Sequence, residues 1–204
     1  MTVRMVAIGG SLGSPSGAST TEAALRCAAS VATALGAEVE FFTGERLRLP
    51  PYDPSAAPPP AVSRMLAAVA GSDALLVASP AYHGGVSGLV KNALDYLEGL
   101  RQDSRPYLEQ RAVGCIGVGA GAQGAAATLH GLRQIVHALR GWPTPLGVAV
   151  STEHDRAERL GTPGGLSAKV VGQLETLGAE LFEFARIRRA AHNASPPLPR
   201  QAVG

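Results

Sequence analysis

Residues 74–97, ALLVASPAYHGGVSGLVKNALDYL, contain the pattern from which the fold of this chain can be predicted. The run ALLVAS is apolar up to its last residue and does not alternate with polar residues, as expected of a strand that is covered on both faces. A loop with a proline and two glycines follows, and a helical pattern extends from Ser87 to Leu97. A buried strand, a loop and a helix form the repeating unit of a parallel sheet.

The same alternation occurs five times along the chain, and VGCIGVG at residues 113–119 is as apolar as the first run. We predict strands near Arg4–Ile8, Glu38–Thr43, Asp73–Ser79, Ala112–Gly117 and Leu146–Val150. Helices are predicted near Thr20–Leu35, Ala61–Ala70, Ser87–Leu97, Gly124–Leu139 and from Ser167 to about Arg189. Five units favour an α/β flavodoxin-like three-layer sandwich with a five-stranded parallel sheet of order 2-1-3-4-5. Right-handed crossovers would then place all loops that follow strands at one edge, where ligands bind.

The length of 204 residues is that of one domain, and we predict a domain over residues 1–190. The proline-rich segment 47–60 indicates an irregular loop at the rim, and the polar, proline-containing residues 191–204 are expected to form a disordered tail.

Composition narrows the class of protein. Hydrophobic residues make up 46% and charged residues 17%, and no apolar run approaches the roughly 18 residues of a membrane span, so a soluble protein without a membrane partner is expected. The start, MTVRMVAIGG, lacks the pattern of a secretory signal, which favours the cytoplasm. The net charge is only +2 and aromatics are 4%, which argues against nucleic-acid binding. Cys27 and Cys115 have no metal-ligand spacing and are interpreted as structural thiols.

The first loop, GGSLGSPSGASTT at residues 9–21, is rich in hydroxyl groups and precedes a helix. Amide groups at a helix start, with hydroxyls beside them, suit a phosphate group. The alternative interpretation is N-capping alone, which needs only one hydroxyl from Ser19 or Thr20. The loop has no G-K-[ST] sequence, so a nucleoside triphosphate with magnesium is not expected.

Two blocks of the chain together resemble the NADPH-dependent FMN reductase family, and the likeness covers Val3 to Val150. The first block is Gly10, Ser11 and the residues from Ser16 to Thr20. The second consists of Ser79, Pro80, Tyr82, Gly84, Gly88, Lys91, Asn92, Ala93, Leu94, Asp95 and Leu97. The chain departs from the family at Leu12 and Gly13, where many members have an arginine. We therefore transfer no arginine contact to the phosphate.

The resemblance implies a bound FMN that accepts a hydride from NADPH or NADH and passes electrons to a small-molecule acceptor. It implies that the phosphate is held by Ser11, Ser16, Ser19 and Thr20, and that the flavin ring is bordered by Pro80, Ala81, Tyr82, His83 and Gly84. No catalytic side chain is required, because the cofactor supplies the chemistry. For His83 a ligand contact and an ordinary surface position both remain open.

Gly119, Gly121 and Gly124 spell G-x-G-x-x-G, but they follow the fourth predicted strand, and no acidic residue lies about 20 positions further on. A dinucleotide fingerprint would need both features. We instead expect Gly119, Ala120 and Gly121 to flank the flavin ring. His130 and His137 lack a third ligand nearby, so no metal site is predicted.

Other functions remain open from the sequence. A flavodoxin-type electron carrier without its own substrate is the alternative, although such carriers are usually acidic, and a flavin-free module on the same fold is a third class. The acceptor could be free flavin for a flavin-dependent monooxygenase, a quinone, an azo dye or a metal oxyanion.

A homo-oligomer, either a homodimer or a homotetramer, is expected from the helix after the third strand. Its apolar residues exceed what one buried stripe requires. They are Leu89, Val90, Ala93, Leu94 and Leu97. Lys91 and Asp95 are spaced to form an ion pair on this helix, either on the surface or within such an interface.

Overall fold

The computed structural model describes residues 2–12, 19–153 and 165–194. In these ranges the strands are β1 (Arg4–Gly9), β2 (Glu38–Thr43), β3 (Ala74–Tyr82), β4 (Gly85–Val86), β5 (Ala112–Gly119), β6 (Trp142–Pro143) and β7 (Val148–Ser151). The helices are α1 (Thr20–Ala34), α2 (Pro60–Ala70), α3 (Gly88–Asp95), α4 (Ala122–Ala138) and α5 (Ala168–Ala194). Short 3-10 helices cover Gly44–Leu47 and Tyr96–Leu100.

The main sheet is parallel, with strand order β2-β1-β3-β5-β6. The predicted flavodoxin-like fold is therefore confirmed, and the predicted fifth strand is present in two pieces. β6 pairs with the start of β5 and β7 pairs with its end. Prolines at positions 143 and 145 lack the amide hydrogen that a ladder needs, which accounts for the interruption between the pieces.

Helices cover both faces of the sheet, which explains the continuous apolar runs. Leu76 and Ala78 of β3 belong to the core beneath α1 and α5, whereas Leu75 and Val77 belong to the core beneath α2, α3 and α4. Alternate residues of one strand thus enter opposite cores, and each must be apolar.

The helix after β3 differs from the expectation in the position of its apolar residues. Val90, Ala93, Leu94 and Leu97 are at most 1% exposed and belong to the core of the chain itself, and Leu89 is half-buried. The helix is also shorter than predicted, because the chain tightens into a 3-10 helix from Tyr96. The number of apolar residues on this helix therefore gives no reason to infer an interface, because four of the five are buried in the core of the chain itself.

Three other features bear on the expectations. His130 and His137 are exposed on α4, and Trp142 is 56% exposed with its ring 5.8 Å from that of Phe184. The predicted tail begins inside α5, which includes Ala194, and from residue 195 it lies outside the described residues. None of the described helices is both long enough and apolar enough to cross a membrane.

Candidate functional site

The carboxyl ends of β1 and β3 meet at a cleft of about 230 Å³. The cleft is lined by Gly10, Ser11, Leu12, Pro80, Tyr82, Ser87, Gly88 and Leu89. The first and third loops, which the sequence analysis placed at one edge, therefore form a common site. Two larger cavities, of about 360 and 270 Å³, lie at the opposite end of the strands, so cavity size alone does not identify this site.

The first loop leaves β1 through two glycines that the backbone requires. A Cβ on Gly9 would lie 2.2 Å from the carbonyl oxygen of Ala78, and Gly10 has a φ of +106°. The hydroxyl of Ser11 donates to that of Ser19 over 3.2 Å, and Ser19 accepts from the amide of Glu22 as the N-cap of α1. Two hydroxyls thus converge on a helix start, where first-turn amides have no partner within the helix.

Thr20 is the first residue of α1 and is partly exposed beside Ser19. The structure therefore brings Ser11 and Ser19 together, with Thr20 adjacent to them at the start of α1. Ser16, the fourth predicted phosphate contact, lies outside the described residues.

A carboxylate in the first turn of α1 was overlooked in the sequence analysis. Glu22 accepts two hydrogen bonds from the guanidinium of Arg26, at 2.9 and 2.7 Å, and one from the hydroxyl of Thr43 at 3.2 Å. This ion pair reduces the negative charge beside the hydroxyl cluster. The i,i+4 spacing of Glu22 and Arg26 was the available signal.

The third loop is a β-hairpin, which the sequence analysis did not predict. β4 pairs antiparallel with the end of β3, and His83 and Gly84 form its two-residue turn with φ of +52° and +78°. Positive φ at both positions is characteristic of a type I′ turn. Gly84 thus serves the turn, and the neighbouring Tyr82 and His83 are exposed, Tyr82 by 58%.

Two buried hydroxyls hold this hairpin in place. The Oγ of Ser79 accepts from the amide of Ser87 at 2.9 Å, and the hydroxyl of Thr128 on α4 donates to the carbonyl of Gly85 at 3.1 Å. Pro80 is buried at the base, while Ala81 is half-buried. Ser79 belongs to the S-P-x-Y block, so its motif was visible, but its role as an anchor became apparent only from the contacts.

The fourth loop contacts the hairpin from the other side. A Cβ on Gly119 would lie 2.8 Å from the amide nitrogen of Ala125 and 3.2 Å from the Cβ of Ala81, so this glycine permits close packing. Ala120 is exposed, and Gly121 is the N-cap of α4 without a capping side chain. A Cβ on Gly121 would meet nothing within 4 Å, which leaves space above the helix start.

The proline-rich loop is fastened to α3 by a residue of the second family block. The Oδ1 of Asn92 accepts from the amide of Tyr52 at 2.8 Å, and its Nδ2 donates to the carbonyl of Pro50 at 2.8 Å. The hydroxyl of Tyr96 donates to the same carbonyl at 3.1 Å. Asn92 thus shapes the rim of the site from beneath and does not line the cleft.

Two further observations concern potential metal ligands and a buried thiol. In the described part of the chain, no group of three or more His, Cys, Asp or Glu side chains could hold a metal ion. Burial raises the pKa of Cys115 to about 12, so that its thiol stays protonated at neutral pH. The site consists of hydroxyls, helix-start amides, small residues and one exposed aromatic ring.

These groups fit a flavin mononucleotide in the chemistry of their donors. Neutral hydroxyls and amides at the α1 start suit a phosphate, and the exposed Tyr82 offers an aromatic face at the cleft. The space above Gly121 adjoins first-turn amides of α4 that have no partner within the helix, and such amides suit a carbonyl oxygen.

The sequence matches a family model, that of the NADPH-dependent FMN reductases, over residues 3–155. The FMN-dependent NADPH-azoreductase of Staphylococcus aureus (strain USA300) is 38% identical over 82 residues, which are 40% of this chain and 37% of the relative. The enzyme of the same name from Staphylococcus haemolyticus is 36% identical over 85 residues, 42% of this chain and 38% of the relative. The chain thus aligns with less than two fifths of the length of these curated relatives.

Solved structures share the fold at low sequence identity. The flavoenzyme NAD(P)H:(acceptor) oxidoreductase FerB from Paracoccus denitrificans has a TM-score of 0.71 at 20% identity, covering 92% of this chain and 99% of that one. An NADH:FMN oxidoreductase in its apo form has a TM-score of 0.64 at 22% identity and covers 89% of each chain.

Proposed function

Because the chain belongs to the NADPH-dependent FMN reductase family, we propose that it is an FMN-dependent NAD(P)H oxidoreductase. The observation that carries the proposal is the convergence of three loops at one sheet edge, with the Ser11 and Ser19 hydroxyls at one helix start and an open second helix start at Gly121. Bound FMN would supply the chemistry of hydride transfer from NADPH or NADH and of electron transfer to an acceptor.

The residues of the chain would bind and orient the cofactor. Ser11, Ser19 and Thr20 hold the phosphate by hydroxyl and amide donors, with Ser16 assigned to the same group. Pro80, Ala81, Tyr82, His83 and Gly84 border the ring on the hairpin side. Gly119, Ala120 and Gly121 would border it on the other side, where amides at the α4 start would supply hydrogen-bond donors for negative charge on the ring.

No side-chain acid or base is needed in this scheme. His83 is held at the tip of the hairpin by a left-handed backbone, and its ring is exposed. We assign no proton transfer to His83.

The acceptor, the cellular location and the assembly are part of the same proposal. The acceptor is a small molecule such as free flavin for a flavin-dependent monooxygenase, a quinone or an azo compound. We propose a cytoplasmic homodimer or homotetramer in which the exposed Tyr82 and the half-buried Leu89 beside the cleft face a second subunit. Light scattering tests the assembly, because a mass near the 20.8 kDa of one chain, together with full oxidase activity, would contradict it.

The activity is tested by anaerobic mixing of the FMN-loaded protein with NADPH or NADH, followed by addition of separate acceptors. Bleaching of the flavin absorbance by either nicotinamide and recovery on adding an acceptor are expected. A protein that holds FMN but is not reduced by either nicotinamide would instead be an electron carrier. A protein that holds no FMN would exclude both functions.

A further inference from the structure

The amino ends of the strands carry a cavity of about 270 Å³ whose wall contains four arginines. Arg4 begins β1, Arg105 lies between α3 and β5, and Arg188 and Arg189 belong to α5. This cavity is separated from the loop edge by the whole length of β1, about 17 Å at the usual rise of a strand. It is therefore distinct from the cleft described above.

The carboxylate in the cavity wall already has hydrogen-bond partners. Asp73 is the one carboxylate among the lining residues, and its Oδ2 accepts from the amide of Arg4 at 2.8 Å and from the guanidinium of Arg189. Arg4 also lies 3.9 Å from the exposed Glu38. Within the described residues, Arg105 and Arg188 form no close ion pair with a carboxylate, although the charges of Asp73 and Asp103 act on Arg105. Among the lining residues, four arginines face one carboxylate, so the wall itself has an excess of positive charge.

A fifth arginine lies behind the wall. Arg111 is fully buried, and its guanidinium donates to the carbonyls of Ala70, Ser72 and Tyr107 at 2.6, 3.2 and 3.1 Å. Burial lowers the pKa of Arg111 to about 10, which still leaves it protonated at neutral pH. A charge held in this poorly solvated place adds to the positive potential at the cavity.

The donor atoms of Arg105 are only partly used. Its Nη2 donates to the carbonyls of Ala70 and Ser72 at 2.8 and 2.9 Å, while its Nε and Nη1 have no partner within the described ranges. Because Nη2 is already used, Arg105 retains N–H donors on Nε and Nη1, each of which can donate a hydrogen bond to an oxygen of an oxyanion.

We propose that this cavity binds a small phosphate monoester. Its volume corresponds to about nine water molecules, which is enough for a ligand of roughly ten non-hydrogen atoms and too little for a mononucleotide. The phosphate lies between Arg105 and Arg188 and relieves the repulsion among the arginines. By joining α5 to β1 and to the segment before β5, the ligand stabilises the fold at a distance from the cleft.

The test is a titration of the protein as purified with glycerol 2-phosphate, at ionic strength held constant with sodium chloride. Glycerol is the neutral control and malonate the dicarboxylate control. Saturable binding by calorimetry is expected, with a Tm increase of about 3–6 °C at tenfold the Kd. Glycerol should have no effect.

Two substitutions on the same helix locate the site. Arg188→Ala is expected to weaken glycerol 2-phosphate binding at least tenfold, with the flavin content unchanged. Arg186 pairs with Glu183 and does not line the cavity. The Arg186→Ala variant should therefore bind glycerol 2-phosphate with the affinity of the unchanged protein.

Three results would overturn the proposal. They are the absence of saturable binding up to about 10 mM, equal binding by the two variants, and binding of malonate as tight as that of the phosphate ester. The test asks whether glycerol 2-phosphate binding depends on Arg188. Its result is therefore independent of whether the chain oxidises NAD(P)H.

Discussion

The hydroxyl of Ser11 lies 3.2 Å from that of Ser19, so the two ends of the first loop meet at the start of α1. Eight positions separate these residues in the sequence, and neither pattern nor spacing required the contact. The pair defines the floor of the proposed phosphate site.

Replacing Ser19 and Thr20 together by alanine is expected to weaken FMN binding by about 10- to 100-fold, because hydrogen bonds to a charged phosphate are lost. Riboflavin lacks the phosphate, so its affinity should change by less than about threefold. Fluorescence quenching titrations with both ligands measure the difference. Equal losses would indicate that the substitution acts through the N-cap of α1 and would remove the phosphate assignment.

Gly121→Val tests whether the fourth loop borders the flavin. The φ of −102° and the open space at its Cβ position allow valine without a clash, so the fold should be retained. We expect flavin occupancy to fall by about tenfold or the flavin reduction potential to shift, because the side chain fills the ring position.

The control for Gly121→Val is Gly172→Val, at a helical glycine of α5 that also has open space around its Cβ position. This variant should keep its flavin. Normal flavin content in Gly121→Val with a selectively raised KM for NAD(P)H would favour a nicotinamide contact at this loop.

Asn92→Ala is expected to free the proline-rich loop at the rim. Three hydrogen bonds between its amide group and the backbone of residues 49–52 are lost, and the free energy of unfolding should fall by about 2–3 kcal/mol. Limited proteolysis should then cleave within residues 49–60. Tyr96→Phe, which removes one hydrogen bond to Pro50, should cost only about 1 kcal/mol and leave the loop resistant. Equal protease sensitivity of both variants would contradict this assignment.

The buried thiol of Cys115 predicts a loss of stability in alkaline solution. Its pKa is raised from the ordinary 9.0 to about 12 by burial, so above pH 9 the unfolded chain releases a proton that the folded chain keeps. Stability should therefore fall by about 1 kcal/mol per pH unit between pH 9 and 11.

Urea unfolding from pH 8 to 11 measures this effect, and Cys115→Ala should remove that slope. Cys27→Ala is the control, because burial raises the pKa of the half-buried Cys27 less strongly and most of the slope should remain. A slope that persists unchanged in Cys115→Ala would assign the alkaline loss to other groups.

Much of the fold followed from local pattern. The runs around β1, β3 and β5 are apolar on both faces, and only a parallel sheet between helix layers buries such strands fully. The hairpin at His83 and Gly84 was not predicted, because β4 has only two residues and the His-Gly turn lacks the usual Asn-Gly signal. The two prolines that interrupt the strand between β6 and β7 are visible in the sequence. That both pieces still pair with β5 could not be predicted, because β5 is distant in the chain.

The layer architecture and the edge at which the three loops meet could be predicted from local pattern, because strand burial and crossover handedness follow from local composition and chain chirality. The tertiary structure alone decided which residues hold those loops: Ser79 and Thr128 for the hairpin and Asn92 for the rim. It also decided that the apolar residues of α3 lie in the core, and that five arginines from separate segments gather at the opposite end of the sheet. These outcomes depend on contacts between residues far apart in the chain, and periodicity along one element contains no information about its partner.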